Sequence, residues 1–494
     1  MILKITVVGL YALMIIIVGI ISLRKTKSFK DFALGGGAVG PWMTAFSYGT
    51  AYFSAVLFIG YAGQTGWSFG ISALWVAVFN TLFGVLLVWA LLGRRIKGAA
   101  LRYNISTLSE YLEKRYNSSF FKLLSSIVIF IFMIPYTAAV FMGLSYLFTS
   151  SFGLNYSYVL IFIGVFTAVY MVLGGYKSMA LIDVLFGIIM VISVCILYTA
   201  TVKQGNGLVS IMDSLKAINP KLAKVVGPPG WWPLFSLVFL TSVAPFAMPH
   251  LMQKFIAVKD DRSIKIGMGV STIFAALIGT VAYFVGATTR VFLSPVKFPE
   301  LFTAGGAPIF DRLMPGLLNS VVPEGLTVII LLLILSASMS TLASLVLLSS
   351  STFAKDFYAG FINSKIGDRP LTILMRIMSA VFIFLSVILA FLNIDSIVAI
   401  LGVSWGAIGS FFLGPFVWGL LSRRMNKAGA LVSGIGGLAA CLILYFSGMP
   451  STQAGTIGMI LSLVLNPVVS LVSAESRRDF SLVDRKVKEE TVEG

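Results

Sequence analysis

Runs of about twenty apolar residues follow one another along almost the whole chain, separated by short polar or basic stretches. A helix needs roughly 20 such residues to cross the hydrocarbon core of a bilayer. Segments of that kind fall at 4–23, 40–63, 71–93, 123–148, 156–175, 179–200, 232–253, 266–289, 325–350, 371–392, 396–421, 428–447 and 454–474. The pattern predicts an all-α integral membrane protein with about thirteen transmembrane helices, which places the two ends of the chain on opposite sides.

Composition agrees. Of 494 residues 58% are hydrophobic and 11% charged, and a water-soluble fold of that size could not bury so much apolar surface. Cys195 and Cys441 both sit inside apolar runs, which argues against a disulfide framework or a metal cluster. The formal charge of +17 would suit nucleic acid, but its distribution does not. Arg24, Lys25, Lys27, Lys30, Arg94, Arg95, Lys97, Arg102, Lys114, Arg115, Lys254, Lys259, Arg262, Lys265, Arg423, Arg424, Arg477 and Arg478 fall in alternate loops and the tail. The opposite loops carry chiefly Lys203, Lys216, Lys221, Lys224, Lys297 and Arg312. That asymmetry is the signature of membrane topology, with the N-terminus outside and the C-terminus in the cytoplasm. The bilayer, not nucleic acid, is the expected partner. The charged segment 476–494 is too short for a catalytic domain and is expected to be a cytoplasmic tail.

Two spans have unusual interiors. The second reads AFSYGTAYFSAVLFIGYAG, with glycines and small polar residues at membrane depth, and the seventh reads FLTSVAPFAMPHLM, with Pro245 and Pro249 in an apolar run. Proline removes a backbone donor and clashes with the preceding turn, and unwound backbone survives at that depth only inside protein or beside a cavity. Interrupted helices at matching places in two halves point to a transporter's binding site. Here they lie five spans apart. The expected organisation is a single transmembrane domain over 1–475. A first repeat at 40–200 and an inverted second repeat at 232–421 would form its core, with helix 1 and 428–474 peripheral. Two ordinary kinks would give the same pattern.

The ninth span contains LSASMSTLASLVLLSSST, in which Ala337, Ser340, Thr341 and Ser344 share one helical face. Hydroxyls and carbonyls are hard oxygen donors for an alkali cation; a small-residue packing seam explains the stripe equally well. Ser338 points off that face. Ser340 lies about ten residues, roughly 15 Å, from one end of its span, and Thr50 to Phe53 lie at a similar depth. A broken second span could thus set free carbonyls opposite the hydroxyls. Asp183 is an acidic residue well inside an apolar span, which marks either an ion pathway or a helix start. His250 follows Pro249 and suits a structural role. No HExxH motif, phosphate-binding loop or nucleophile elbow is present, so no enzyme is expected.

The stretches DFALGGGAVGPWMTAFSYGTAYFSA, TLSEYLEKRY, VLGGYKSMALID, PHLMQKF, SASMSTLAS and RRMNKAGALVSGIGG occur in this order. Together they resemble the sodium:solute symporter family, in the style of its proline, pantothenate and monocarboxylate branch. The resemblance implies a leucine-transporter-type fold with a five-plus-five inverted repeat. It also implies a sodium site formed by the carbonyls of Thr50, Phe53 and Ala337 with the hydroxyls of Ser340 and Thr341. A second cation site would use Asp183, Ser340 and Ser344, although Ala343 stands where the family pattern has a hydroxyl. Tyr52, Ser54, Leu57, Tyr136, Phe246 and Trp405 would face the substrate. Tyr52 occupies a position where proline carriers have an aspartate, and Lys254 one where arginine is common. The expected function is sodium-coupled symport of a small polar organic solute (an amino acid, carboxylate or similar) by alternating access in the cell membrane. A monomer would suffice, and sodium is the ion required. The alternatives are proton coupling in the same fold and a solute sensor that does not transport.

Overall fold

A computed structural model describes residues 2–23, 29–37, 39–173 and 176–473. Arg24, Lys25, Lys27 and the tail at 476–494 lie outside them. Among the described residues the chain is nearly all helix and contains no strand, only isolated bridges such as Val39–Val258. Eleven helical stretches are long and apolar enough to cross a membrane. One of them, Val56–Tyr103, breaks at Gly70 (φ 60°) and contributes to two spans, and the shorter Tyr156–Val172 adds another. Among the described residues each of the thirteen expected spans therefore has a helical counterpart.

Burial sorts them. The stretches Trp231–Ala257, Thr327–Ile362 and Ile397–Leu421, which carry the seventh, ninth and eleventh spans, are 83%, 89% and 89% buried over their most apolar windows, against 17% for the first span. The ninth span, Thr327–Ser351, carries no charged residue and is buried along most of its length, hydroxyls included, as befits a central helix. The first, tenth, twelfth and thirteenth spans keep much of their apolar surface exposed, as lipid-facing helices do.

Both unusual spans are interrupted. The second comprises Pro41–Tyr52, a non-helical residue at Phe53 (φ −107°, ψ 130°), a wide turn over Val56–Tyr61, and Ala62–Phe69. The seventh runs Trp231–Val243, then a tight turn Ala244–Phe246, then Pro249–Ala257. Pro249 opens the second half-helix at a position where the missing N–H costs nothing. Met248 before it is extended (ψ 112°), the conformation that a following proline favours. Past its break, the second span crosses the eighth, Asp261–Ala287, backbone against backbone. A Cβ on Gly66 would stand 2.0 Å from the Gly286 carbonyl carbon, so only glycine permits the approach.

Short amphipathic helices sit outside the expected spans, at Arg94–Tyr103, Leu108–Tyr116, Leu208–Ile218 and Phe310–Val321. At 9–12 residues they are too short to cross.

Candidate functional site

The C-terminal end of Pro41–Tyr52 points into the protein, and its last carbonyls have no helical partners because the helix stops at Phe53. The Thr341 hydroxyl of the ninth span stands among them. Its Oγ1 lies 3.4 Å from the Thr50 carbonyl oxygen, 3.2 Å from that of Ala51, 3.5 Å from that of Phe53 and 3.0 Å from that of Ala337. One hydroxyl hydrogen can satisfy only one of these acceptors. The remaining oxygens converge with their lone pairs, reinforced by the negative end of the half-helix. Hard oxygen donors of this kind have the chemistry that suits a monovalent cation.

Ser340 completes the group, its Oγ 2.8 Å from Thr50 Oγ1. Thr50, Phe53, Ala337, Ser340 and Thr341 are thus brought together as the sequence implied, and all are buried. The Ala51 carbonyl joins them unannounced, since a backbone oxygen leaves no trace in residue type.

Ser338 is placed differently from the sequence expectation. It does not point away from the break: its Oγ accepts the backbone N–H of Ala55 at 2.9 Å and donates to Ile334 O at 2.6 Å. Phe53 O meets Thr341 while Ala55 N, two residues on, meets Ser338, so the break engages more than one face of the ninth span. A helical wheel of the ninth span cannot show this, because the partner is a backbone N–H of another span.

Asp183 is buried and faces the hydroxyls of Ser340, Ser47 and Thr50, with Lys254 nearby. Its Oδ1 has no hydrogen-bond partner. Lys254 is itself buried; its Nζ donates to Ser47 Oγ at 2.8 Å and lies 4.8 Å from the centre of the Tyr176 ring. Of the expected second cluster, Asp183 and Ser340 meet. The Ser344 hydroxyl instead donates to the Ser340 carbonyl at 3.0 Å.

On the other side of the break lies a small cavity of about 30 Å³. Tyr52, Ser54, Leu57, Tyr136 and Trp405 line it as expected. Phe246 does not line it: the residue is buried in the tight turn of the seventh span, and Thr241, one turn earlier, supplies that wall. Asn80 and Tyr283 line it too and were not anticipated, although a polar residue such as Asn80 inside an apolar span is a legible signal. Tyr52 donates to the Thr241 carbonyl at 3.0 Å, and Asn80 accepts from Ser242 at 2.8 Å, tying the third span to the seventh. The Tyr136 ring stands edge-on to those of Trp405 and His250. Both His250 ring nitrogens are buried without hydrogen-bond partners, so the residue is less settled than a purely structural histidine. Among the described residues no charged side chain lines the cavity, and Phe53 belongs to both the oxygen cluster and the cavity wall.

A model of the sodium:solute symporter family matches residues 32–437. The chain belongs to the sodium:solute symporter family. Its curated relatives are transporters, and this symporter-family chain is a transporter rather than an enzyme. The osmoregulated proline transporter OpuE of Bacillus subtilis is 28% identical over 97% of this chain and 98% of its own length. The sodium/proline symporter of Staphylococcus aureus is 27% identical over 94% and 91%. Among solved structures, a Na+-coupled sialic acid symporter in a substrate-bound outward-open state superposes with a TM-score of 0.81 at 18% identity, covering 95% of this chain and 98% of that one. Mhp1, a nucleobase-cation-symport-1 family transporter, superposes at 0.51 with 15% identity over 89% and 95%. The symporter family's leucine-transporter-type fold, with spans broken five apart, is therefore the fold of this chain.

Proposed function

We propose that the protein carries a small polar organic solute into the cell together with sodium. The observation that carries this reading is the convergence of the Thr50, Ala51, Phe53 and Ala337 carbonyls on Thr341 Oγ1. A cation lodged there holds the broken second span against the ninth. The solute sits in the adjoining cavity, sharing Phe53 with the ion, so that each ligand favours the arrangement the other needs. The two repeats at 40–200 and 232–421 would rock around this point. The arginine-rich loops face the cytoplasm and the N-terminus the outside. Sodium entering down its gradient supplies the work, the electrical part being about 2.3 kcal/mol per charge per 100 mV.

The cavity's chemistry narrows the solute. With hydroxyls, an amide and aromatic rings but no charged side chain, it suits a compact molecule without net charge, such as a zwitterionic amino acid, or a carboxylate paired with the neighbouring sodium. Proline, the solute named for two relatives, is the first to try, although Tyr52 departs from the proline carriers' pattern.

The test is uptake into proteoliposomes at fixed pH, with sodium and proton gradients imposed separately, after amino acids and carboxylates have been screened for sodium-dependent thermal stabilisation. Sodium-driven accumulation is expected. Uptake that follows a proton gradient and ignores sodium would overturn the coupling, and binding without accumulation would mark a sensor.

A further inference from the structure

Past Ser351 the ninth span runs on into a wide turn, Thr352–Ile362, which carries Lys355 and Asp356 away from the oxygen cluster to the arginine-rich face. The short helix Leu108–Tyr116 and the fourth-span helix, Ser119–Phe152, meet it there. The Thr107 hydroxyl, which caps the short helix, donates to Asp356 Oδ1 at 2.9 Å. Lys355 Nζ lies 2.8 Å from Glu110 Oε1, and Lys122 Nζ 2.9 Å from Glu113 Oε2. Gly360 lets Lys122 come close: a Cβ there would stand 3.4 Å from Lys122 Cε. The same helix is tied to the eleventh span, where Arg115 donates to the Gly419 and Ser422 carbonyls at 2.9 Å and Tyr116 to that of Pro415 at 2.6 Å. Leu108–Tyr116 is therefore a strap that joins the fourth, ninth and eleventh spans.

The charges under this strap do not balance. Asp356 is buried, and Glu110, Lys122 and Lys355 lie close enough to act on it. With Glu113 on Lys122, three carboxylates among the described residues face two ammonium groups. The other charges on the packed elements are turned elsewhere. Arg115 is bonded to the eleventh span, Asp368 and Arg376 face the helix Phe29–Leu34, and Lys114 and Arg369 are exposed. Each lysine already has a glutamate, and Asp356 Oδ2 is buried with no hydrogen-bond partner. An ionised carboxylate there would keep a desolvated charge with one oxygen bare, and buried carboxyls in such surroundings retain their proton. A metal ion is the poorer remedy, because it would stand beside two ammonium groups.

We infer that Asp356 Oδ2 is a proton-binding site, and that its proton, drawn from the water on that face, holds the strap Leu108–Tyr116 against the ninth span. The neutral acid still accepts from Thr107 through Oδ1, whereas the anion loses its solvation and repels Glu110. A proton held in the docked strap and released from the undocked one makes docking complete in acid. Docking then weakens as pH climbs, by at most about tenfold per pH unit. The site stands apart from the oxygen cluster and the solute cavity, yet it lies on the continuation of the span that carries Ala337, Ser340 and Thr341.

The test is hydrogen exchange, read by mass spectrometry on the full chain in lipid nanodiscs from about pH 6 to about pH 9 and corrected for the intrinsic effect of pH on amide exchange. Protection of Leu108–Tyr116 should fall about tenfold or more between about pH 7 and about pH 9, while the helix Leu208–Ile218, which gives nothing to the cluster, stays level. Asp356→Asn mimics the neutral acid, keeps an oxygen for Thr107 and should hold the strap throughout. Glu113→Gln brings the charges into balance and frees Lys122 to face Asp356, so the fall should move below about pH 7. Wild-type protection that ignores pH, or a fall shared by both helices, would overturn the site whether or not the variants fold. An unmoved fall in either folded variant would do the same. Protection restored at high pH by sodium would replace the proton with a metal ion.

Discussion

Ser338 Oγ accepts the backbone N–H of Ala55 at 2.9 Å, pinning the residue that restarts the second span after its break to the central ninth span. Both groups are buried, so the bond fixes where the helix resumes and hence where the carbonyls before it point. Ser338→Ala leaves a buried donor without a partner, at a cost of about 1–3 kcal/mol. The unfolding temperature should fall whether or not sodium is present, and sodium activation of transport should weaken because the carbonyls lose their frame. Unchanged stability and unchanged sodium response would show that the break holds itself open without this bond.

Thr341 differs in kind, because its hydroxyl belongs to the oxygen cluster itself. Thr341→Ala should raise the sodium concentration for half-maximal uptake by about tenfold or more, a ligand's worth of roughly 1.4 kcal/mol. Thr341→Ser keeps the oxygen and should stay within about threefold. The readout is sodium-dependent uptake in proteoliposomes, alongside sodium-induced thermal stabilisation. Equal loss in both variants would point to packing of the threonine methyl rather than to ion contact.

These two neighbours show what could be read from sequence and what could not. The break in the seventh span was legible because prolines dictate backbone, and the stripe of Ala337, Ser340, Thr341 and Ser344 because helical spacing dictates a face. Ser338 was misjudged because its importance depends on a backbone N–H of another span, which residue type does not reveal. Asn80 and Thr241 reach the cavity from the third and seventh spans, a proximity that only tertiary packing creates. The amphipathic helices at Arg94–Tyr103 and Phe310–Val321 fall below the length that a search for crossings detects.

Lys254 and Asp183 lie buried around Ser47, the lysine bonded to its hydroxyl at 2.8 Å and the aspartate facing it. Removing either side chain leaves the other buried with a polar partner fewer, a cost of about 1–3 kcal/mol. Lys254→Met and Asp183→Asn should each destabilise the protein, and the double variant should be less destabilised than the sum of the two. Unfolding free energies in a double-mutant cycle measure the coupling, and a value below about 0.5 kcal/mol would show that the two charges act independently. The ammonium also stands beside the expected second cation cluster, so Lys254→Met should make the sodium dependence of uptake steeper; an unchanged slope would separate the lysine from ion binding.

On the opposite face, Asp311 from the helix Phe310–Val321 accepts the Ile397 N–H with both carboxylate oxygens, at 3.3 and 3.1 Å, where the eleventh span begins. Burial pushes this carboxyl up from its ordinary 3.8 to about 7, the Ile397 N–H opposing the rise and the Asp395 charge adding to it. A carboxyl raised in the docked arrangement takes up a proton that the undocked chain releases. Its contribution to stability is therefore complete below about pH 4 and is lost as pH climbs through about 7, by at most about 1.4 kcal/mol per pH unit. The wild-type unfolding temperature should accordingly fall between about pH 5 and about pH 8. Asp311→Asn keeps an oxygen to accept the Ile397 N–H but cannot titrate, so the fall in that window should flatten. An identical pH profile in the variant would place the sensitivity elsewhere in the chain.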